Sequence, residues 1–490
     1  MDLWQEWSGG PRRHRDADPE DLGHDGWRER VVSYDPSDRQ AHLLSLAQGF
    51  VDYALDRGAE AAEVSLSEGQ EFSCRYRAET LDQLEQAGSS GVGLRLFQGG
   101  RVVSGSSSDL APSTVHSLVD DLVESAAFLD PDEHNQLAPA ESLYSGPRIE
   151  LGLLDVATTL EDAAPRLERA RLAEATVRQF DDRITATEGA GFSAVYSTSV
   201  TAASNGLQRG ISAGWQSLGA DAICDDAGGK KRNGSWYSVS RDLGGLMAAD
   251  TLGAIAAQRA LARLGADKPP TGAYPVIWDR HAAASLLGLL SSILTATAVY
   301  RKQSYLAQRQ GDLIASDCFT LIDDPLLPGL LGSSPVDGEG RKRRQNTLVE
   351  GGVLKTFLAA QYGSSRTGLP CTASASRPLA GTPGEATTNL YLKPGQRSPE
   401  ALIADVEEGV FLEGTIGFGF NPVTGEFSRG GWGRMIRGGE LAEPIGEFTV
   451  SASFEDILKG IEEVADDLVW DRRTVSPTLR VASMAVGGRG

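Results

Sequence analysis

Between Gln40 and Arg57, apolar side chains recur at Leu43, Leu46, Ala47, Phe50, Val51 and Ala54. Spacings of three and four place them on one stripe of an α-helix, and Gly58 follows where a left-handed cap is needed. The period then changes. Short runs at 62–66, 72–77, 80–86, 91–97 and 102–106, punctuated by glycine and charge, predict an antiparallel meander. Pro112 opens a second helix with a buried stripe of Val115, Leu118, Val119, Leu122 and Val123. Residues 160–180 read as a charged helix, 184–224 as strands with Asn205-Gly206 at a turn, and 252–264 as another helix. Lys268-Pro269-Pro270-Thr271-Gly272 is the clearest linker. Beyond Tyr274 strands dominate, with an uncharged helix first. A late amphipathic helix is expected to carry Phe454, Ile457, Leu458, Ile461 and Val464.

The pattern predicts an α+β fold in four parts. Residues 1–39 form a flexible extension that is poor in aliphatics and holds Trp4, Trp7 and Trp27. Residues 40–150 form an N-terminal α+β domain and 151–267 a middle segment. Residues 268–490 form a β-rich C-terminal domain with a buried helix. The stretch 282–300 contains no charged residue and has the length of a membrane span. Ser285, Gly288, Ser291, Ser292, Thr295 and Thr297 dilute it, however, and no second such segment follows, so a buried core helix and no membrane are expected.

Composition narrows the function. Gly is frequent (57 of 490 residues) but scattered, as turn-rich β structure requires and collagen-like repeats do not. Lys and Arg total 46 against 67 Asp and Glu, a net charge of −21 that opposes nucleic-acid backbones and anionic lipid. Cys74, Cys224, Cys318 and Cys371 lie far apart without a CxxC pair, which fits a reducing compartment. The start, Met1-Asp2-Leu3-Trp4, lacks the apolar core of a signal peptide, so the expected location is the cytoplasm.

Several motifs fail on inspection. None of His14, His24, His42, His116, His134 and His281 has a second His four residues on, and no HExxH exists. His281 is expected only to cap or flank the uncharged helix. Gly229 and Gly234 have P-loop spacing, but Ser235-Trp236 follows instead of Lys-Ser/Thr. In Gly417-Phe418-Gly419-Phe420-Asn421-Pro422 a proline stands where a dinucleotide fingerprint needs its third glycine. Ser428 sits in a loop one residue too long for a nucleophile elbow and has no nearby His. What remains is a set of Gly- and acid-rich loops. Asp337 and Glu339, two residues apart in such a loop, are expected to be solvated turn residues rather than paired carboxylates. The run Arg341-Lys342-Arg343-Arg344 is expected to be a solvated loop or a salt-bridge surface for a partner.

The C-terminal half resembles a known family, the TldD/PmbA proteins. The residues that carry the resemblance are Pro335-x-Asp337-Gly338-Glu339-Gly340, Leu348-Val349-Glu350-Gly351-Gly352-Val353-Leu354, Asn421-Pro422-Val423-Thr424-Gly425-Glu426-Phe427-Ser428-Arg429-Gly430 and Met484-Ala485-Val486-Gly487-Gly488. Gly58-Ala59-Glu60-Ala61-Ala62-Glu63-Val64 and Gly91-Val92-Gly93-Leu94-Arg95 extend it toward the N-terminus, so that it covers about residues 40–488. The family's two branches resemble paired subunits of one heterodimeric peptidase. The TldD branch carries a HExxxH helix for zinc, and the PmbA branch, also called TldE, lacks it. Here Gly288 and Ile293 stand at the two histidine positions and Leu289 at the glutamate, and no cysteine follows Cys371 to supply the third ligand. The chain therefore resembles the PmbA/TldE branch.

That resemblance implies a non-catalytic subunit with no catalytic or metal-ligating residue of its own. Zinc is expected in a TldD-like partner subunit, and a peptide is the expected substrate. Asp337, Glu339, Asn421, Ser428 and Arg429 are the candidates for peptide or partner binding. Arg429 offers a planar fork to a carboxylate, and its simpler alternative is an internal salt bridge that holds a turn. Two other functions compete. One is a scaffold or regulator without a role in proteolysis, in line with the family's older label as a modulator of DNA gyrase. The other is an autonomous enzyme built on Asp337, Glu339 and Arg429.

Overall fold

The computed structural model describes residues 35–159 and 161–489. Trp4, Trp7, Trp27 and the expected extension up to residue 34 lie outside the described residues. Helix α1 (Pro36–Asp56) begins four residues before the expected start at Gln40, because Asp35 accepts the Ser37 N–H at 2.7 Å and Pro36 occupies the first turn. Its stripe is buried at Leu43, Ala47, Phe50, Val51 and Ala54 as expected, with Leu46 half-buried.

The chain forms two compact units, and the fold is α+β. One unit holds the residues up to Glu133, Gly152–Ala262 and Leu379–Gly381. Its strands are β1 (Ala61–Arg77), β2 (Thr80–Gln98), β3 (Arg101–Ser107), β4 (Ile184–Ala186), β5 (Ala190–Ala203), β6 (Gln208–Asp225) and β7 (Lys231–Ser240). They form a seven-stranded sheet in the order β3-β2-β1-β5-β6-β4, with β7 also on β6. The short expected runs merge into long strands, and β1 pairs with β5 from Glu63–Ala203 to Tyr76–Ala190. Stretches 40–150 and 151–267 thus share one sheet. Helices α1 and α2 (Pro112–Ser125) bury Phe50, Val51, Val115 and Val119 with Val64, Leu66, Leu94 and Leu96 of β1 and β2. Helices α3 (Ala163–Gln179) and α4 (Ala249–Leu261) belong to the same unit.

The other unit holds His134–Leu151, Arg263–Pro378 and Thr382–Gly490. Its strands are β8 (Gly272–Trp278), β9 (Leu321–Asp323), β10 (Asn346–Glu350), β11 (Val353–Leu354), β12 (Ala375–Ser376), β13 (Gly384–Glu385), β14 (Leu390–Leu392), β15 (Glu408–Ile416), β16 (Glu426–Arg437), β17 (Glu440–Ser453), β18 (Ile461–Val464), β19 (Thr474–Val475) and β20 (Leu479–Gly487). A six-stranded sheet runs β17-β16-β15-β8-β20-β18, and β17 also pairs with β20. Strands β8, β15, β16, β17 and β20 therefore close into a barrel, which removes their free edges. A five-stranded sheet runs β11-β10-β9-β14-β19.

The uncharged stretch becomes helix α5 (Arg280–Ile293) and, after a break, a short helix at Ala296–Tyr300. The break arises where Thr295 turns extended and its hydroxyl accepts the Ala298 N–H at 3.1 Å. No helix among the described residues is long and apolar enough to cross a membrane. Leu286, Leu287, Leu290 and Ile293 pack with Trp278, Val410 and Leu412 of the barrel and with Leu390 and Leu392 of the five-stranded sheet. One expected helix is corrected. Only Phe454–Lys459 is helical; Gly460 ends the turn, and Ile461 and Val464 lie on β18, paired to β20. Their spacing suits either structure, and the vacant edge of β20 decides.

Leu290 lies wholly inside the core. Leu290→Ala should lower the unfolding free energy of this unit by about 2–5 kcal/mol, through lost transfer energy and a residual cavity. Urea unfolding of wild type and variant checks it; a loss below about 1 kcal/mol would place the helix at a periphery instead.

Candidate functional site

The segment between β9 and β10 carries the first candidate loop. An isolated bridge between Val336 and Lys342 closes a tight turn over Asp337-Gly338-Glu339-Gly340. Gly340 sits at φ +88°, a conformation natural to glycine. A Cβ at Gly338 would lie 3.0 Å from the Arg377 backbone nitrogen, and the Arg377 Nε donates to the Gly338 carbonyl at 2.6 Å. The two glycines thus let this loop lie flat against the 375–377 backbone.

Asp337 is fully buried. Its Oδ1 accepts the N–H groups of Glu339 and Arg341, each at 2.9 Å, and its Oδ2 accepts that of Ala375 at 3.2 Å. Glu339 is 4% exposed. Its carboxylate accepts the Gln361 N–H at 2.9 Å and the Arg341 Nη1 at 2.7 Å, and Arg341 Nη2 reaches Gln361 Oε1 at 2.5 Å. Arg343 is buried and donates to the carbonyls of Ala373 and Ala375 at 3.2 and 3.1 Å. The solvated turn expected for Asp337 and Glu339 is therefore corrected, and so is the place of Arg343 in the basic run, whereas Lys342 and Arg344 are exposed. Asp337, Glu339, Arg341 and Arg343 all turn inward around this turn, two acids against two arginines. No local pattern in the sequence announces this, because the backbone that covers them is distant along the chain. Neither carboxylate faces solvent, so both order the loop instead of presenting themselves to a ligand.

Two further polar residues of this unit are buried, Asp323 in the acid-rich stretch Asp323-Asp324-Pro325 and Asn389. Asp323, at the end of β9, accepts the Thr388 N–H at 2.6 Å and its hydroxyl at 2.9 Å, while its Oδ2 has no hydrogen-bond partner. Asn389 accepts the Gly332 N–H at 2.9 Å and donates to the Asp324 carbonyl at 2.8 Å. Burial pushes Asp323 up to about 6, against the Thr388 hydrogen bonds and the Arg343 charge. Burial and the neighbouring Asp337 charge push Glu339 up to about 7, against the Gln361 amide and Arg341.

The second candidate loop is the β15–β16 hairpin. Asn421 Oδ1 accepts the N–H groups of Val423 and Thr424 at 2.9 and 3.3 Å, and its carbonyl accepts that of Gly425 at 2.8 Å. Asn421 is thus the organiser of the turn. Phe420 packs on Phe454, with ring centroids 4.8 Å apart, and the Tyr305 N–H donates to the Pro422 carbonyl at 2.9 Å. Ser428 is exposed on β16 and its N–H donates to the Gly419 carbonyl at 2.8 Å. A Cβ at Gly419 would lie 1.6 Å from the Ser428 carbonyl oxygen, so only glycine fits there. Arg429 stands over the Phe427 ring at 5.8 Å, its Nε is buried without an acceptor, and burial alone lowers its pKa. It forms no ion pair among the described residues, so the internal salt bridge is not made. The first loop closes on Gln361 and Ala375, and the hairpin closes on Tyr305 and Phe454; each has its own set of contacts.

His281 flanks the start of α5, as expected. Its backbone N–H donates to Asp279 at 2.9 Å, and its ring lies 3.2 Å from Asp471 and 2.9 Å from Arg472. Burial alone would raise the Asp471 carboxyl, yet the His281 hydrogen bond and Arg472 hold it down at about 2. Further along α5, Gly288 is exposed, Leu289 half-buried and Ile293 buried, and none of the three side chains carries a donor atom for zinc. Among the described residues no group of three or more His, Cys, Asp or Glu is placed to hold a metal ion. These residues do not fit a zinc site. The four cysteines are all unpaired.

Comparison with known proteins adds independent findings. The PmbA/TldA metallopeptidase C-terminal domain matches residues 271–488, domain 1 of that metallopeptidase matches 62–126, and its central domain matches 159–264. Metalloprotease PmbA of Escherichia coli O157:H7 is 28% identical over 447 residues, covering 91% of this chain and 94% of that protein. A metalloprotease PmbA homolog of Haemophilus influenzae is 27% identical over 454 residues, with 92% and 97% covered. A crystal structure from Bacteroides thetaiotaomicron, described as a candidate modulator of DNA gyrase, superposes with a TM-score of 0.85 at 27% identity, over 91% of this chain and 98% of that one. TldE from Thermococcus kodakarensis shares the fold, with a TM-score of 0.79 at 18% identity, over 90% of this chain and 100% of that one.

The raised carboxyls give a pH dependence of defined sign. In the unfolded chain Asp323 and Glu339 ionise near their ordinary values of 3.8 and 4.5; in the fold they hold their protons to about 6 and 7. Their contribution to stability is full below the ordinary values and is lost as pH rises through the folded ones. Glu339→Gln should therefore flatten the fall in unfolding free energy between pH 4.5 and 7, as read by urea titrations across that range. An unchanged slope would mean that Glu339 is ionised throughout.

Proposed function

Because the chain belongs to the PmbA/TldD metallopeptidase family, we propose that it serves as the non-catalytic, TldE/PmbA-type subunit of a heterodimeric metallopeptidase acting on peptides. The observation that carries this reading is helix α5. At the positions where the TldD branch is expected to place two histidines and a glutamate, this chain has Gly288, Ile293 and Leu289. In zinc hydrolases the metal generates the attacking hydroxide near neutral pH. Here a TldD-like partner subunit would hold the zinc, and the present chain would complete the chamber around the peptide in the cytoplasm. The names of the relatives support the peptidase side of this reading.

The two loops then take different parts. Asp337 and Glu339 stiffen the wall from within, through the backbone N–H groups that they accept. Asn421 shapes the hairpin that presents Ser428 and Arg429 toward peptide or partner. The description of the Bacteroides protein favours a regulatory role as the second reading. A charge of −21 opposes any version of it that requires direct contact with DNA.

Purified alone, the chain should hold less than one zinc per molecule and cleave no peptide. Mixed with a HExxxH-bearing family member from the same genome, it should form a complex whose cleavage of unfolded peptides stops on chelation. Metal analysis, size exclusion and a peptide digest read by mass spectrometry check all three. Chelator-sensitive cleavage by the isolated chain would refute the non-catalytic role, and absence of any complex would refute the heterodimer.

A further inference from the structure

We propose that Ile416, Phe418 and Arg429, on the β15–β16 hairpin between the Ile416–Gly430 pair and the Phe420–Phe427 bridge, form a plug that seats in an apolar cleft of a folded partner subunit with a carboxylate at the cleft's rim. The proposal rests on the two-subunit reading above and specifies where the partner is held. Phe418 is 100% exposed and Ile416 69% exposed. Side chains of this kind scattered singly on a surface need no explanation, but these two and the cation are contiguous. A Cβ at Gly419 would lie 3.6 Å from Arg429 Cγ, and one at Gly430 would lie 2.7 Å from Ile416 Cγ2. Arg429 therefore lies alongside the Phe418-Gly419 step, and Ile416 covers the next residue of β16.

The exposure is not that of a frayed end. Asn421, the Phe420–Phe454 contact and the hydrogen bonds of Pro422 and Ser428 hold the turn of the hairpin just beyond the plug. A segment fixed before binding loses little conformational entropy on docking. Arg429 supplies the polar requirement of the occupant. Its Nε is buried without an acceptor and no carboxylate pairs with it among the described residues. A planar guanidinium in that state is satisfied best by a carboxylate that accepts from it in a fork.

Backbone pairing decides between a folded subunit and an extended peptide as the occupant. A peptide added as a strand needs a free sheet edge. Strand β16 pairs with β15 on one side and with β17 on the other, from Glu426–Ser453 onward, and Phe420 bridges to Phe427 beyond the end of β15. No edge is free at the hairpin, and a protruding aromatic fits a cleft rather than lining one. Both points favour a folded partner.

The test uses the full chain with the HExxxH-bearing family member, and the dissociation constant is measured by calorimetry or interferometry. Phe418→Asp and Arg429→Glu should each weaken assembly at least about tenfold, as loss of a central anchor does. Arg429→Lys should fall between wild type and Arg429→Glu, because it keeps the charge but loses the fork. Melting temperatures should stay near wild type for Phe418→Asp, whose side chain touches only solvent. If wild type assembles and all variants assemble equally well, the plug is overturned and the two-subunit reading stands. If wild type does not assemble, the two-subunit reading itself fails. Variants that keep assembly but lose self-association, or lose peptide capture, would assign this patch to a second copy or to substrate and overturn the proposal.

Discussion

Helix α5 is packed on two sides at once, and the C-terminal unit is organised around that fact. Leu286, Leu287, Leu290 and Ile293 meet the barrel residues Trp278, Val410 and Leu412 and also Leu390 and Leu392 of the five-stranded sheet. A helix in this position must be apolar over most of its circumference, because a charge facing either layer would be desolvated without a partner. The same requirement explains why the stretch resembles a membrane span in sequence while forming a short core helix. It also bears on function. Ligands for a metal would have to come from this helix at the expense of that packing, and the chain has instead placed Ile293 in the core.

The second organising element is a buried set of charges. Asp337 accepts three backbone N–H groups, and Glu339 is clamped between Gln361 and Arg341. Buried charges are tolerated where hydrogen bonds replace most of the lost water. Here the acids spend their acceptors on the 375 and 361 segments, so the turn is tied to β12 and to the start of the helix Gln361–Thr367. The residual strain shows in the raised Glu339 and Asp323 carboxyls, which burial keeps close to neutrality. Arg429 stands in contrast. It is a desolvated cation outside any such network.

Element identity was legible in the sequence wherever one physical cue sufficed. The stripe of α1, the strand character of the alternating runs, the linker before β8 and the apolar nature of α5 all follow from side-chain period and from proline and glycine, whereas the merging of the short runs into long strands does not. The absence of zinc ligands from α5 was equally readable, since it depends only on which residues stand at 288, 289 and 293. Tertiary structure decided what local pattern leaves open. Ile461 and Val464 suit a helix or a strand by spacing, and the edge of β20 made them a strand. Asp337, Glu339, Arg341 and Arg343 look like solvated loop residues one by one. Only the closing of the 375–377 backbone over Gly338 buries them together. The exposure of Phe418 beside an uncompensated Arg429 likewise belongs to the tertiary structure, because a local sequence specifies its own hydrogen bonds but not which distant backbone will cover it.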